Sequence, residues 1–264
     1  MGVFLAKVIV ICNQKGGVGK TTTVINLASC LAAAEHKTLI VDMDPQSNAT
    51  TGVGIAKEDV DASIYDVLTG KKNHGSVVGI DQIIRPSKLI EYLHVAPATP
   101  DLAAAEIELV NTIARERKLE ESLKPILDTY EYVIVDAPPS LGLLTINVLT
   151  AADSVLIPIQ CEYYALEGLA ELLNTIRLVQ KNLNPDLAIE GALLTMYDSR
   201  LNLCKQVADD VRGCFSGRVF KTVITRNVKL SEAPSFGKPI ILYDIMSSGA
   251  ENYLNLAKEI MHDE

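Results

Sequence analysis

Short runs of consecutive apolar residues alternate along the chain with longer segments in which apolar residues recur at helical spacing. The runs lack polar alternation, so each predicted strand is buried on both faces, which is typical of a parallel sheet covered by helices. The predicted strands are residues 8–12, 38–42, 93–96, 132–136, 154–159 and 193–196. The predicted helical segments are residues 20–34, 102–130, 142–151 and 165–182.

This alternation of strand and helix predicts a doubly wound α/β fold, with a mostly parallel sheet, flanking helices and right-handed crossovers. Residues 69–86 contain clustered glycine, lysine and asparagine, which indicates a surface excursion between two elements. No linker rich in proline, glycine or serine and no internal repeat divides the chain. We therefore expect residues 1–264 to form one domain.

Composition narrows the class of protein. With 48% hydrophobic and 22% charged residues, the 264-residue chain has ordinary globular usage. Its net charge of −9 means that DNA or anionic lipid would have to bind at a local basic patch. The five cysteines form no C-x-x-C pair, and no stretch approaches the roughly 20 apolar residues of a membrane span. These features predict a cytoplasmic protein with reduced thiols.

Residues 15–22, K-G-G-V-G-K-T-T, form a glycine-rich loop between a predicted strand and a predicted helix. Such a loop turns its backbone N–H groups towards an anion, and the helix adds its positive end. Lys20 would reach the β- and γ-phosphates of a nucleotide, Thr21 would bind Mg²⁺, and Thr22 would contact the α-phosphate. The predicted nucleotide-binding residues are Lys15, Gly16, Gly17, Val18, Gly19, Lys20, Thr21 and Thr22.

Two carboxylates follow predicted strands at the sheet edge where parallel α/β proteins bind ligands. Asp44 comes just after the second strand, where it would orient the attacking water, and it is also a candidate Mg²⁺ ligand. Asp136 ends the fourth strand and is the other carboxylate on the Mg²⁺ side. The Asn-Lys-x-Asp signature of GTPases is missing from the sequence, which favours ATP as the nucleotide.

The loop departs from the usual G-x-x-x-x-G-K-[ST] pattern, because Gln14 replaces the first glycine and Lys15 adds a second lysine. This deviant Walker A form resembles the ParA/MinD branch of P-loop ATPases. The resemblance implies that Lys15 crosses a dimer interface and touches the phosphates bound by the partner subunit. It also implies catalytic roles for Lys15, Lys20 and Asp44, and a Mg²⁺ and switch role for Asp136.

Further segments extend the resemblance over nearly the whole chain. They are N-Q-K at 13–15, D-P-Q at 44–46, A-E-I-E-L at 105–109, P-P-S-L-G-L at 138–143, Q-C-E-Y-Y-A-L-E-G at 160–168 and L-S-E-A-P-S at 230–235. This set is similar to the small chromosomal ParA proteins, often called Soj. The resemblance implies an ATP-dependent homodimer on the nucleoid, which binds DNA non-specifically and is released by a ParB-type centromere-binding partner. One departure is Thr225-Arg226-Asn227, where the family has proline before the arginine.

The distribution of charge tests the DNA expectation separately. Residues 196–240, the basic segment, contain eight Lys or Arg against four Asp or Glu, whereas the rest of the chain carries −13. A basic segment on an acidic protein is the pattern expected for contact with the phosphate backbone. No reading-helix motif accompanies it, so binding would not depend on base sequence. The predicted DNA-binding residues are Arg200, Arg218, Lys221, Arg226 and Lys229.

Two other functions share the fold and the loop. A MinD-like membrane-cycling ATPase would need a basic amphipathic C-terminal helix, whereas residues 251–264 are acidic, which argues against membrane binding. A P-loop metabolic ligase of the dethiobiotin synthetase type would leave the basic segment without a role. Both remain alternatives to a partition ATPase.

Overall fold

The computed structural model describes residues 5–73, 76–162, 165–215 and 217–262. Its strands are β1 (Lys7–Ile11), β2 (Thr38–Asp42), β3 (Lys72–Asn73), β4 (Ser76–Val77), β5 (Arg85–Pro86), β6 (Leu93–Ala96), β7 (Tyr132–Asp136), β8 (Ser154–Gln160) and β9 (Ala188–Thr195). Seven of them form one sheet in the order β5-β6-β2-β7-β1-β8-β9. All pairings in this sheet are parallel except that of the edge strand β5 with β6.

Helices connect the strands and cover both faces of the sheet. They are α1 (Lys20–Ala33), α2 (Asn48–Gly52), α3 (Ile64–Thr69), α4 (Ile80–Ile83), α5 (Leu102–Glu108), α6 (Lys118–Leu123), α7 (Leu143–Ala151), α8 (Ala165–Asn182), α9 (Asn202–Cys214), α10 (Val228–Glu232), α11 (Ile240–Tyr243) and α12 (Ser248–Met261). Parallel strands require such crossover connections, because the chain must return to the same end of the sheet. The doubly wound α/β prediction is confirmed.

The hydrophobic core lies on both sides of the sheet. Along β1, Val8 and Val10 pack into one buried cluster, whereas Ile9 and Ile11 pack into the other. Alternate residues of a strand point to opposite faces, so a strand that is apolar at every position needs cover on both sides. The continuous apolar runs therefore become the inner strands of the sheet.

The C-terminal helix α12 packs on α1 and completes the second buried cluster. Its apolar face includes Tyr253, whose hydroxyl hydrogen-bonds the Thr23 hydroxyl at 3.1 Å. The apolar face of this helix is thus used inside the fold. Among the described helices, none combines the length and the hydropathy that crossing a bilayer requires.

The structure changes several predicted boundaries. Strands β2, β6 and β7 and helix α8 have their predicted limits, but β9 begins five residues earlier than expected. The helical stretch predicted over residues 102–130 breaks into α5, α6 and three short 3-10 turns, with Ala114 in the left-handed region at a φ of 52°. The surface excursion over residues 69–86 contains the β3–β4 hairpin and ends in β5, which joins the sheet.

Candidate functional site

The glycine-rich loop leaves the carboxyl end of β1, which lies between β7 and β8 in the middle of the sheet. Gly17 and Gly19 have φ values of 77° and 91°, in the left-handed region that favours glycine. A Cβ atom added at Gly16 or Gly17 would meet no atom within 4 Å, so these two residues border open space. The loop thus forms a backbone cradle with room for a ligand.

Helix α1 begins at Lys20, directly after the loop. No side chain caps this end, because Gly19 occupies the N-cap position. The first N–H groups of a helix have no partner within the helix, and together with the helix dipole they attract an anion. The loop and the start of α1 therefore suit the binding of a phosphate group.

Lys20 is buried, with 7% of its surface exposed, and its ammonium faces the loop. Its hydrogen bond is a long one, 3.4 Å to the carbonyl of Lys15, and it forms no salt bridge with a carboxylate of the described residues. Buried charges in proteins are normally paired. A phosphate in the cradle would supply the missing negative charge.

Lys15 has a different environment. Its ammonium is partly exposed and lies 2.9 Å from a carboxylate oxygen of Glu162, whose other oxygen accepts a hydrogen bond from Gln160. The backbone N–H of Lys15 donates to Asn13, and the amide of Asn13 donates to the carbonyl of Pro158 at 2.7 Å. These bonds tie the start of the loop to β8, and they involve Glu162 and Asn13, to which the sequence analysis gave no role.

Two buried carboxylates lie side by side at the same edge of the sheet. Asp42 on β2 and Asp136 on β7 are direct partners in the strand register, and both are fully buried. One oxygen of Asp42 accepts hydrogen bonds from the backbone and hydroxyl of Thr50, at 2.8 and 2.7 Å. Burial raises the pKa of Asp42 to about 6, and the bonds from Thr50 oppose this rise. Asp42 thus anchors helix α2, a role that sequence analysis missed.

Asp136 has no such donors. Both of its oxygens are buried and unbonded in the described part of the chain. Burial, and next the neighbouring Asp42, raise the pKa of Asp136 well above its usual value. The Thr21 hydroxyl lies close enough to oppose this rise, although it does not have hydrogen-bond geometry. An acidic side chain in this state suits a cation.

Mg²⁺ usually takes one or two protein ligands and completes its octahedron with phosphate oxygens and water. Thr21 and Asp136 fit that requirement, because the Thr21 hydroxyl lies close to the Asp136 carboxylate. The described residues contain no group of three or more His, Cys, Asp or Glu arranged for a metal. A metal at this edge would therefore depend on a phosphate ligand for part of its coordination.

Asp44 lies at the same edge and is also buried. One of its oxygens accepts the backbone N–H of Gln46 at 2.9 Å, and its own N–H donates to Asp42. This places Asp44 in a tight loop between β2 and α2. Its predicted roles towards water and Mg²⁺ stay predictions, and a loop-capping role is the alternative.

A cavity of about 350 Å³ continues from the loop. Its lining includes Gly19, Thr22, Thr195, Thr225, Arg226 and Asn227. This position, next to Thr22, which is predicted to contact the α-phosphate, suits the sugar and base of a nucleotide. A larger cavity of about 650 Å³ is lined by segments such as Val53–Ile55 and Phe236–Lys238 and by no residue of the loop. We assign the nucleotide to the smaller cavity because it adjoins the phosphate cradle.

The predicted DNA-binding residues lie in the segments that connect β9, α9 and α10, except Lys229, which lies in α10. Three of the five have acidic partners. Arg200 forms two hydrogen bonds with Asp198, at 2.9 and 2.7 Å. Arg218 pairs with Glu259 at 3.1 Å, and Lys229 pairs with Glu232 at 3.2 Å. Lys221 and Arg226 are exposed and have no salt bridge among the described residues, but Arg226 also lines the smaller cavity. The DNA assignment of all five stays a prediction.

Comparison with known proteins gives the context for this site. The family model described as an AAA domain matches residues 6–189. The sporulation initiation inhibitor protein Soj of Bacillus subtilis is 59% identical over 256 residues, which cover 97% of this chain and 98% of that protein. The chromosome partitioning protein ParA of Myxococcus xanthus is 57% identical, over 97% of this chain and 88% of that protein.

Solved structures agree with the fold. Cobyrinic acid a,c-diamide synthase from Mycobacterium smegmatis, with bound ADP and magnesium, is 34% identical with a TM-score of 0.84. The alignment covers 98% of this chain and 95% of that one. The cell division ATPase MinD of Pyrococcus furiosus is 25% identical with a TM-score of 0.79, over 98% of this chain and all of that one.

Proposed function

The chain belongs to the ParA/Soj family of chromosome-partitioning ATPases, and we propose that its bound nucleotide controls whether it binds DNA. In this proposal the ATP form pairs with a second copy and binds DNA without sequence preference. Hydrolysis, stimulated by a ParB-type centromere-binding protein, returns the chain to a form that releases DNA. Such a cycle would place the protein in the cytoplasm, on the nucleoid.

One observation carries the nucleotide part of the proposal. A buried ammonium at Lys20 and a buried, unbonded carboxylate at Asp136 lie beside an open backbone cradle. Each group needs a partner of opposite charge, and a phosphate with its metal would supply both. The predicted ligands, ATP and Mg²⁺, are confirmed by relatives of this fold that were crystallised with ADP or an ATP analogue and magnesium.

In the proposed reaction, each of these residues has its own step. Lys20 and the N–H groups of the loop hold the phosphates and stabilise the negative charge that develops during transfer. Thr21 and Asp136 would hold Mg²⁺, which supplies further neutralisation of phosphate charge when bound. Asp44 would position the attacking water, because it lies past the end of β2 beside Asp42. Lys15, on the surface, would reach the phosphates of a second copy.

Support for DNA binding is less direct than support for nucleotide binding. The family relationship is to chromosome-partitioning proteins, and the basic segment carries a positive excess on an acidic chain. Pairing of two copies would bring two basic segments onto one DNA molecule and increase the number of phosphate contacts. We therefore expect DNA binding to require ATP.

The direct test is DNA binding with ATP and Mg²⁺, with ADP and Mg²⁺, and without nucleotide. We expect binding in the first condition, with at least about tenfold weaker binding in the other two, and equal affinity for unrelated duplexes. Equal binding in all three conditions would contradict the switch. If the wild-type chain does not bind ATP, the proposed nucleotide site is wrong.

Gly16→Val tests the homodimer. A Cβ at Gly16 meets nothing within 4 Å inside the monomer, so the change should leave the fold and the binding of ATP nearly unaffected. A branched side chain on this open rim would collide with a facing copy. Sedimentation with ATP should therefore show dimers for the wild type and monomers for the variant. Dimers of both would contradict a pairing through the loop face.

The ligase alternative has weaker support. The ParA and Soj relatives are 57% and 59% identical to this chain, whereas cobyrinic acid a,c-diamide synthase is 34% identical. The MinD-like alternative requires a free amphipathic helix, but the apolar face of α12 is packed on α1. Binding to anionic vesicles in the presence of ATP would favour that alternative over the one proposed.

A further inference from the structure

Thr195 is the last residue of β9, and its side chain reaches the middle of the glycine-rich loop. The hydroxyl donates a 2.8 Å hydrogen bond to the carbonyl of Val18. Both residues are buried, with 2% and 1% of their surface exposed. Within the described residues, no second hydrogen bond to this carbonyl is found. The bond therefore holds a peptide group that the loop itself leaves unsatisfied.

Val18 lies between two glycines with positive φ, so the peptide planes on either side of it rotate at little steric cost. An anion cradle needs its N–H groups to face the ligand, and a carbonyl turned the same way would repel a phosphate. The bond to Thr195 keeps the Val18 carbonyl directed at the body of the protein. Thr195 thereby fixes one of the few rotations by which the cradle can lose its shape.

We infer that Thr195 is a positioning residue for nucleotide binding, which acts by orienting the Val18 peptide. The inference rests on the proposed nucleotide site and adds to it a residue from β9, the edge strand two positions away from β1 in the sheet. Thr195 also lines the smaller cavity, so its role need not be confined to the carbonyl. The test must therefore separate the hydrogen bond from the shape of the side chain.

Two substitutions make that separation. Thr195→Val keeps the methyl group, which lies 3.8 Å from the position of a Cβ on Gly19, and removes the hydroxyl. Thr195→Ser keeps the hydroxyl and removes the methyl group. We expect the valine variant to bind ATP with Mg²⁺ about tenfold or more weakly, because a buried carbonyl without a donor favours a rotated loop. We expect the serine variant to bind within about threefold of the wild type.

Thr150→Val is the matched control. Thr150 is also buried, and its hydroxyl donates a 2.7 Å bond to the carbonyl of Ile146 within α7. The same atoms are removed from a residue with no role in the site, so ATP affinity should stay at the wild-type value. Without nucleotide, the thermal unfolding midpoints of the Thr195 variants should be similar to that of the wild type, because the glycine-rich loop can rotate to satisfy the freed Val18 carbonyl.

The two levels of the proposal fail differently. If the wild-type chain does not bind ATP in calorimetry, the proposed nucleotide site is wrong. If the wild type binds and Thr195→Val binds equally well, only the role of Thr195 is wrong. Equal weakening by valine and serine would show that shape, and not the hydrogen bond, is what matters, and would also overturn the inference. Thr195→Ala, which lacks both the hydroxyl and the methyl group, should bind ATP at least as weakly as Thr195→Val.

Discussion

Two parts of the protein are rich in charge. One is the proposed nucleotide edge, the edge of the sheet with the glycine-rich loop, Lys20 and Asp136, and the other is the basic segment. They arrange their charges in opposite ways. At the nucleotide edge, Lys20 is buried and forms no salt bridge among the described residues, and the buried oxygens of Asp136 accept no hydrogen bond there. In the basic segment, Arg200 and Lys229 lie on the surface beside acidic side chains that are two or three residues away in the sequence, Asp198 and Glu232. Burial makes an unpaired charge costly, whereas water screens an exposed one.

This difference decides how far each region can be interpreted. An unpaired buried charge indicates a specific ligand, because burying the charge without a partner of opposite charge lowers the stability of the fold. A positive excess summed over 45 residues says less, since four of its eight cations, Arg200, Arg212, Arg218 and Lys229, already contact carboxylates. Exposed pairs such as Arg200–Asp198 and Lys229–Glu232 contribute little to stability because water screens them, so DNA phosphates can still compete for these cations.

The largest effect is expected from Lys20→Ala, which should abolish measurable ATP binding. The phosphates would lose the buried ammonium that neutralises them, while the fold would lose a buried charge that has no carboxylate partner. Calorimetric titration with ATP should show no heat of binding, and the unfolding temperature without nucleotide should not fall. Lys205→Ala, at an exposed position on α9, is the control and should bind ATP normally. Retained binding by Lys20→Ala would show that the buried ammonium does not hold the phosphates.

Asp44→Ala should lower the rate of ATP hydrolysis by about 10²–10⁴-fold, the usual contribution of a positioned base. Its affinity for ATP should change by less than about threefold, because in the proposed role the carboxylate would orient the water and would not contact the phosphates of the ground state. Steady-state turnover and equilibrium titration together test this split. Unchanged turnover would leave Asp44 as a cap for the N–H of Gln46, with which it already forms a 2.9 Å bond.

Asp136→Asn should remove most of the effect of Mg²⁺ on nucleotide affinity. Asparagine has the same shape but no charge, and it binds Mg²⁺ poorly. We expect Mg²⁺ to tighten ATP binding by about tenfold or more in the wild type and by about twofold or less in the variant. The free protein should be as stable as the wild type, since the Asp136 carboxylate has no hydrogen bond to lose. An unchanged Mg²⁺ effect would exclude Asp136 as a ligand.

The smallest effect is expected from Arg200→Ala in the basic segment. DNA binding in the ATP state should weaken by about three- to tenfold at low salt, and the slope of log affinity against log salt should fall by about 0.9 for each lost contact. Lys124→Ala, at another exposed cation paired with a glutamate, should leave DNA affinity unchanged. Hydrolysis without DNA should also be unchanged.

Asp198→Asn sharpens the same comparison. It removes the negative charge that holds Arg200 in place. Hydrogen bonds from Arg200 lower the pKa of the Asp198 carboxyl to about 2. If Arg200 contacts phosphates, this variant should bind DNA at least as well as the wild type. Weaker binding by Asp198→Asn would mean that the pair has a structural role, and the DNA surface would lie elsewhere.

The sequence by itself determined the features that depend on neighbours along the chain. Apolar runs without alternation predicted strands buried on both faces, and residues 15–22 predicted the phosphate loop, because its glycines, lysine and threonines are consecutive. Asp136 was found for the same reason, since it ends a recognisable apolar run. These signals are local, and local propensity and pattern specify them.

Tertiary structure alone decided which distant residues complete the site. The strand order puts Asp42 beside Asp136, and the fold brings Glu162 to Lys15 across 147 residues and Thr195 to Val18 across 177 residues. It also decided which cations of the basic segment have acidic partners. Contacts at such separations depend on the order in which strands pair and on the packing of helices between them. No spacing pattern in a single chain specifies that order, so these residues became visible only in the folded protein.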